Sequence, residues 1–598
     1  MTENSQSSLM IFKRFLSEAF VHRRLLAVIL LAIIGSTIST LAAPYILRIA
    51  IDEYIVPGRF EDLAGIALLY LIALTGQWLF TTLQTYTVQV FGQRVLFDLR
   101  ARLQRKLLDS KLDYFKDKRT GDLVSRIIND TSMVNDVLVS GLLGGIGSLL
   151  SLVGIIGAML LLDVQLTVVA MTTIPLMVFI SKYFGGRIYR AYRDTRQKIA
   201  KISSIVEESV SGIETVKAFG REPMVEEEFS RASRDTVKAY MRVAYYMGFF
   251  WPLMNISSLL SIVIVLAYGS YLAYTGAVSL GIVVAFVQYT QRFRGPINNV
   301  VSMYDSLQSA LASLVRIYEV LDDENTEETE GEKIDRLKGE IELREVWFEY
   351  EPENPVLKNV NLHIKPGETI ALVGRTGAGK TTLANLIMRF YDPTKGLLLY
   401  DGKDSRQLDR RSIRARIGYV PQETYLFPGT IAENIQIARP GASLNDVVRV
   451  CKELGIHEFI IKLPRGYDTP AGEAGKLLSV GEKQLISLAR ALIRDPDIVI
   501  LDEALSSVDP RTEQLVYQAM QKLMNGRTSI IIAHRLSLTR LADRIIVLDQ
   551  GKIIEQGSFN DLIKKKGYFY KLYTSQFEKT MSKPLTYKAV SPTHRKID

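Results

Sequence analysis

Between Val243 and Gln291 the chain carries no charged side chain, and this run limits the possible folds more than any other feature. About 20 residues of α-helix cross a hydrocarbon layer of about 30 Å, so the run is about twice the length of one crossing. The Tyr274-Thr275-Gly276 turn and Gly281 divide it into a helical hairpin. Four more apolar stretches precede it: Leu25–Leu47, Leu63–Thr87, Val137–Leu162 and Val164–Ser181. A buried soluble bundle does not use repeated uncharged runs of this size. The expectation is six membrane-spanning helices over residues 25–321.

The connections between spans are unequal. Those after the first, third and fifth are short and poor in Lys and Arg, whereas those after the second and fourth are long and basic, with Arg94, Arg100, Arg102 and Arg105, then Arg187, Arg190, Arg193 and Arg196. The positive-inside rule therefore puts both termini and the long connections in the cytoplasm. The same topological bias accounts for the net charge of +9, so no nucleic-acid partner is needed to explain it. Residues 1–24 hold an amphipathic stretch suited to the membrane surface, followed by His22-Arg23-Arg24. Polar turns at Tyr114–Asp122 and Ser209–Lys217 are expected at the tips of long helical hairpins. The single cysteine, Cys451, excludes an intrachain disulfide framework.

An acidic linker, 322–339, separates this part from an α/β pattern of short strands and helices over 340–577; a basic tail, 578–598, follows. In the α/β part, Gly374-Arg375-Thr376-Gly377-Ala378-Gly379-Lys380-Thr381 fits G-x-x-x-x-G-K-[ST]. It lies between an apolar strand-like run, Thr369–Val373, and a helix-like one beginning at Thr382, as a phosphate-binding loop requires. The glycines let backbone N–H groups turn inward on an anion. Lys380 can reach the outer phosphates of a nucleoside triphosphate, and the Thr381 hydroxyl suits Mg²⁺. The run Ile498–Leu501 ends in Asp502-Glu503. Asp502 can hold the Mg²⁺ shell, and Glu503 is placed to polarise an attacking water.

Leu478-Ser479-Val480-Gly481-Glu482-Lys483-Gln484 resembles the signature of ATP-binding cassette proteins. The chain from about residue 10 to 577 is similar to an exporter half-transporter of that superfamily, a six-helix membrane domain fused to an α/β P-loop cassette. The resemblance implies further roles. Tyr350 would stack on adenine, Gln422 would sense Mg²⁺ and the attacking water, and His534 would contact the γ-phosphate. Ser506-Ser507-Val508-Asp509 would form the D-loop. Ala471–Gly475 would meet the partner's coupling turns. It also implies that each ATP lies between one cassette's phosphate loop (with Thr382 just beyond it) and the other's Ser479, Gly481 and Glu482, so a second half-transporter chain is required.

The family's usual signature is Leu-Ser-Gly-Gly-Gln; Val480 and Glu482 depart from it. With Lys380, Asp502, Glu503 and His534 intact, the asymmetry points to a heterodimer in which this chain supplies the complete phosphate loop. A homodimer that tolerates both changes is the competing expectation. The implied activity is ATP-driven efflux of amphipathic drugs, lipids or peptides across the cytoplasmic membrane. An ATP-gated channel, a regulatory subunit or a homodimeric lipid floppase are the alternatives. Gln77, Gln84, Phe249, Trp251, Asn255, Gln288 and Tyr289 are candidates to line a cavity, or to pack and anchor helices.

Overall fold

A computed structural model describes residues 2–116, 118–327, 330–502, 510–533 and 535–581. The chain divides into two compact units, one of residues 1–110 and 114–326, the other of residues 111–113 and 327–598.

The first unit is helical. An amphipathic helix, α1 (Thr2–Ala19), leads into α2 (Arg23–Ile49). It is pinned by polar contacts: Arg102 pairs with Glu18 at 2.6 Å, the Tyr318 hydroxyl donates to Glu18 at 2.7 Å, and Arg14 pairs with Asp322 at 2.8 Å. Phe15 packs with Ile29, Phe91 and Leu103 beneath it. Next comes α3 (Leu63–Leu108), whose 46 residues run about 69 Å, well beyond a bilayer core. Large apolar side chains such as Leu71, Trp78 and Leu79 are exposed along it, as a lipid-facing helix requires. A helical segment with two π-type stretches leads from Thr120 into α4 (Gly144–Leu162). The chain returns through α5 (Val164–Met171), capped by the Asp163 side chain on the Leu166 N–H at 2.7 Å.

Two long helices follow, α6 (Ile174–Ser211) and α7 (Glu222–Tyr274), joined by a turn at Gly212 and a short helix, Ile213–Ala218. Arg242 of α7 pairs with Asp194 of α6 at 2.5 Å. Among the described residues five helical stretches are long and apolar enough to cross a membrane: 10–55, 60–108, 120–162, 164–211 and 222–274. The sixth expected span differs. After Ser279, which caps the Ile282 N–H, α8 (Leu280–Gln291) is only 12 residues long. The helix breaks at Arg292-Phe293 before α9 (Arg294–Leu321) begins. Pro296 supplies the reason: it has no N–H for the Arg292 carbonyl four residues back, and its ring clashes with that carbonyl.

The second unit carries two sheets. The first, in spatial order β2-β1-β4-β5, is antiparallel and holds β1 (Ile341–Glu349), β2 (Pro355–Ile364), β4 (Lys395–Tyr400) and β5 (Lys403–Asp404). The second has the order β10-β9-β3-β8-β7-β6. It comprises β3 (Thr369–Val373), β6 (Ile417–Val420), β7 (Ile498–Asp502), β8 (Thr528–Ile532), β9 (Arg544–Asp549) and β10 (Lys552–Gly557). Strands β3, β6, β7, β8 and β9 run parallel, and β7 and β8 are buried along their whole length. Such continuous Val/Ile runs belong to a sheet covered on both faces. The acidic stretch before β1 is partly docked on this unit: Glu327 forks with Arg414 at 2.8 Å, and Arg336 pairs with Asp495 at 2.5 Å and Asp497 at 3.0 Å.

Cys451 is fully buried in this unit's core, and burial pushes its thiol up to about 11 against a smaller opposing pull from Tyr467. Maleimide at pH 7–8 is therefore expected to leave it unmodified in the native protein and to label it within minutes in guanidinium. Rapid native labelling would contradict the burial.

Candidate functional site

In a parallel sheet every strand's carboxyl end falls on the same edge, where loops gather to bind ligands. Here that edge collects Gly374 after β3, Gln422 after β6, Asp502 at the end of β7 and Ala533 after β8. One strand, β8, lies between β3 and β7. The two strand ends are therefore about 10 Å apart, a gap that a phosphate chain and long side chains can bridge.

The loop after β3 is shaped by its glycines. A Cβ on Gly374 would lie 2.2 Å from the Leu548 carbonyl oxygen, and Gly379 holds φ +101° with a Cβ position 2.8 Å from Leu357. Neither position has room for a side chain. Gly379 is the N-cap of α10 (Lys380–Ile387), so the loop delivers the N-terminus of that helix to the strand edge. Over Gly377 the space is open, and Arg375 and Thr376 are exposed beside it, while Ala378 is buried below. Lys380 is 4% exposed, and its Nζ donates to the carbonyls of Gly374 at 2.8 Å and Arg375 at 3.1 Å. Its charge is thus held against the loop itself. Thr381 is exposed at the helix start. Thr382 is buried and accepts from the Tyr350 hydroxyl at 3.2 Å. That bond, with edge contacts to Phe348 and Tyr391, fixes the Tyr350 ring beside the loop.

Asp502 is 4% exposed at the end of β7, and Gln422 is exposed in the loop after β6. Glu503, the Ser506–Asp509 stretch and His534 lie outside the described residues. A hydroxyl and a carboxylate are hard oxygen donors, the chemistry that fits Mg²⁺. Among the described residues no cluster of three His, Cys, Asp or Glu could hold a metal unaided.

The signature departs from expectation in an informative way. Ser479 is the N-cap of α11 (Val480–Leu492) and forms a capping box with Glu482. The Ser479 N–H donates to the Glu482 carboxylate at 2.7 Å, and the Glu482 N–H donates to the Ser479 hydroxyl at 3.4 Å. The S-x-x-E spacing was a readable capping signal; the helix dipole alone does not reveal it. Ser479 and Val480 are exposed and Gly481 is buried. Gln422, Val480, Lys483 and Gln484 line a cavity of about 510 Å³.

In the first unit the polar span residues separate. Tyr289 is fully buried and donates to the Leu41 carbonyl at 2.7 Å, so it ties helices together. Gln84 accepts from Ser36 at 3.1 Å. Gln77 and Gln288 are half-buried. Phe249, Trp251 and Asn255 are exposed on α7, and Arg294 reaches the last two. Arg294 and its neighbour Arg292 were missed because they lie just past the charge-free run; the run's end was itself the available signal.

Two families match the chain: the ABC transporter transmembrane region over residues 26–297 and the ABC transporter family over residues 357–506. The chain is an ABC transporter. It binds ATP, and ATP hydrolysis is coupled to transport across the membrane in which its apolar helices lie. The transporter is 36% identical over 526 residues to the fatty acid ABC transporter ATP-binding/permease protein of Mycobacterium bovis, covering 87% of this chain and 83% of that one. It is 33% identical over 572 residues to the ATP-dependent lipid A-core flippase of Syntrophus aciditrophicus, covering 95% of each. Among solved structures it matches a bacterial Atm1-family ABC exporter with ATP bound, with a TM-score of 0.76 and 28% identity. The match covers 93% of this chain and 98% of the other. The ABC transporter is thus of the exporter type, which acts as a dimer.

Proposed function

We propose that this exporter pumps amphipathic molecules outward from the cytoplasmic membrane as one chain of a heterodimer, with six crossings and both termini cytoplasmic. The sixth crossing is the broken pair α8–α9. The observation that carries the reading is the convergence of the phosphate loop, Asp502 and Gln422 on one sheet edge, in a chain whose other half is membrane helices. In this reading Lys380 neutralises the outer phosphates, the loop N–H groups orient them, and Tyr350 stacks on adenine. Thr381, Asp502 and Gln422 would hold Mg²⁺, which supplies charge neutralisation on the phosphates. Glu503 accepts the proton of the attacking water, and His534 steadies the γ-phosphate. Asp509 lines the cassette interface. ATP binding performs work only because the closed cassette pair binds it more tightly than the open pair.

The heterodimer reading rests on the capping box. Glu482 places its own anion on the helix start that a partner's triphosphate would approach. At an effective dielectric of ~20, like charges about 8 Å apart repel by about 2 kcal/mol. Val480→Gly with Glu482→Gln is therefore expected to tighten nucleotide-driven cassette closure about tenfold, read as the ATP concentration that half-closes a spin-labelled dimer. Expressing the chain alone separates the alternatives. A stable dimer with full, cooperative ATPase activity would establish the homodimer and overturn this part of the reading.

A further inference from the structure

Arg292 and Arg294 directly follow the charge-free run and lie inside the segment matched by the transmembrane family, residues 26–297. From the start of α8 at Leu280, twelve to fourteen residues of helix carry the chain about 18–21 Å, so both charges fall deep within a ~30 Å hydrocarbon layer. A cation at such depth is costly, and it persists only where it faces protein or a polar cavity.

The structure gives both side chains protein neighbours. Arg292 donates to the carbonyl of Thr40 on α2. Thr40 is four residues before Pro44, which has no N–H to offer it, so the guanidinium takes the place of a missing helical bond. Arg294 donates to the Asn255 side chain and lies 5.1 Å from the ring centre of Trp251, both on α7. A guanidinium has five N–H donors, so these contacts leave each Arg with donors to spare. Among the described residues the partners of the two arginines are a carbonyl, a side-chain amide and an indole, and no carboxylate. Trp251 is 44% exposed and Asn255 is exposed as well, so this chain's own side chains do not seal the Arg294 cluster.

Two deep cations with no carboxylate partner among the described residues, beside an exposed indole, make a receptor for an anion that carries its own apolar surface. We infer that Arg294, with Arg292 behind it, binds the headgroup of an anionic amphipath, a carboxylate or phosphate on a hydrocarbon chain, and that this anion is the cargo. The inference rests on the export reading above and names its substrate class. The fork of an Arg matches either oxyanion, and the aromatic and aliphatic side chains of α7 serve the chain. Arg292 also has a structural duty at the Pro44 gap, so Arg294 is the residue to alter first.

The test uses the full assembled transporter in nanodiscs of zwitterionic lipid without nucleotide. Binding of tritiated oleate, tritiated 1-oleoyl lysophosphatidate and tritiated monoolein is measured by scintillation proximity. Arg294→Gln is expected to weaken at least one of the two anions by tenfold or more. Monoolein affinity should stay unchanged, and Arg294→Lys should recover most of the loss. The size-exclusion profile and thermal unfolding of each variant, measured separately, establish that the membrane unit is folded. If Arg294→Gln fails that check, Asn255→Ala, which frees Arg294 and leaves its charge in place, is expected to hold oleate or lysophosphatidate at least as tightly as the unaltered protein. Equal affinities for all three lipids, anion affinity unaffected by Arg294→Gln, or anion binding lost in Asn255→Ala would overturn the inference. Arginine-dependent anion binding in a protein that does not hydrolyse ATP would support the anion site while sinking the pump reading and, with it, the assignment of the anion as cargo.

Discussion

Replacing Glu503 by glutamine is expected to lower ATP hydrolysis by about 10²- to 10⁴-fold, the contribution of a positioned general base, while ATP binding persists. In the sequence Glu503 comes directly after Asp502, and Asp502 ends a fully buried strand on the same edge as the phosphate loop. The amide keeps the size of the side chain and one acceptor oxygen but cannot accept the water's proton at neutral pH. ATP should then accumulate, unhydrolysed, in a closed cassette pair. In a heterodimer the loss should be nearly complete, because this chain supplies the phosphate loop and the base to the same site. A variant that turns over ATP at more than a tenth of the original rate would remove Glu503 from the proposed role.

Lys380→Ala acts one step earlier and should fail at binding. The Lys380 ammonium is almost fully buried and is held by two carbonyls of its own loop. Those bonds orient the side chain along the cradle before a nucleotide arrives, so little ordering remains to be done on binding. Charge-assisted hydrogen bonds contribute about 1.5–3 kcal/mol each. Losing about 3 kcal/mol would weaken ATP binding about 100-fold. Fluorescent-nucleotide titration reads this directly. The pair of variants separates the two roles: lysine loss should raise the dissociation constant, whereas glutamate loss should leave it unchanged or lower it. Equal behaviour in both assays would mean that neither residue has its assigned role.

What the amino-acid sequence discloses about this molecule depends on how local the determining interactions are. The phosphate loop was legible because its glycines, its lysine and the strand and helix around it are consecutive. The buried strand β7 was legible for a similar reason, as the unbroken aliphatic run Ile498–Leu501. Helix lengths were legible in outline: the long basic connections were expected to form helical hairpins, and α3 does continue to Leu108 while α7 begins at Glu222, both carrying charged turns far beyond any bilayer. The break at Arg292-Phe293 comes from Pro296 acting on a carbonyl four residues back, which a search for apolar runs does not register. The Arg294–Trp251–Asn255 cluster joins residues 39 to 43 positions apart, and only the packing of two helices brings them together. Glu482 is the instructive case: it stands out in the sequence as a departure from the usual signature, while its spacing from Ser479 already encoded the reciprocal cap.

The central claim, that nucleotide hydrolysis at the sheet edge drives an amphipath across the membrane, is tested most directly in sealed inside-out vesicles. ATP-dependent uptake of tritiated 1-oleoyl lysophosphatidate would be followed in the unaltered transporter and in Glu503→Gln. The expected result is uptake against a gradient that requires hydrolysable ATP and disappears in the variant. Uptake that proceeds equally in the variant, or that only dissipates an imposed gradient, would contradict it.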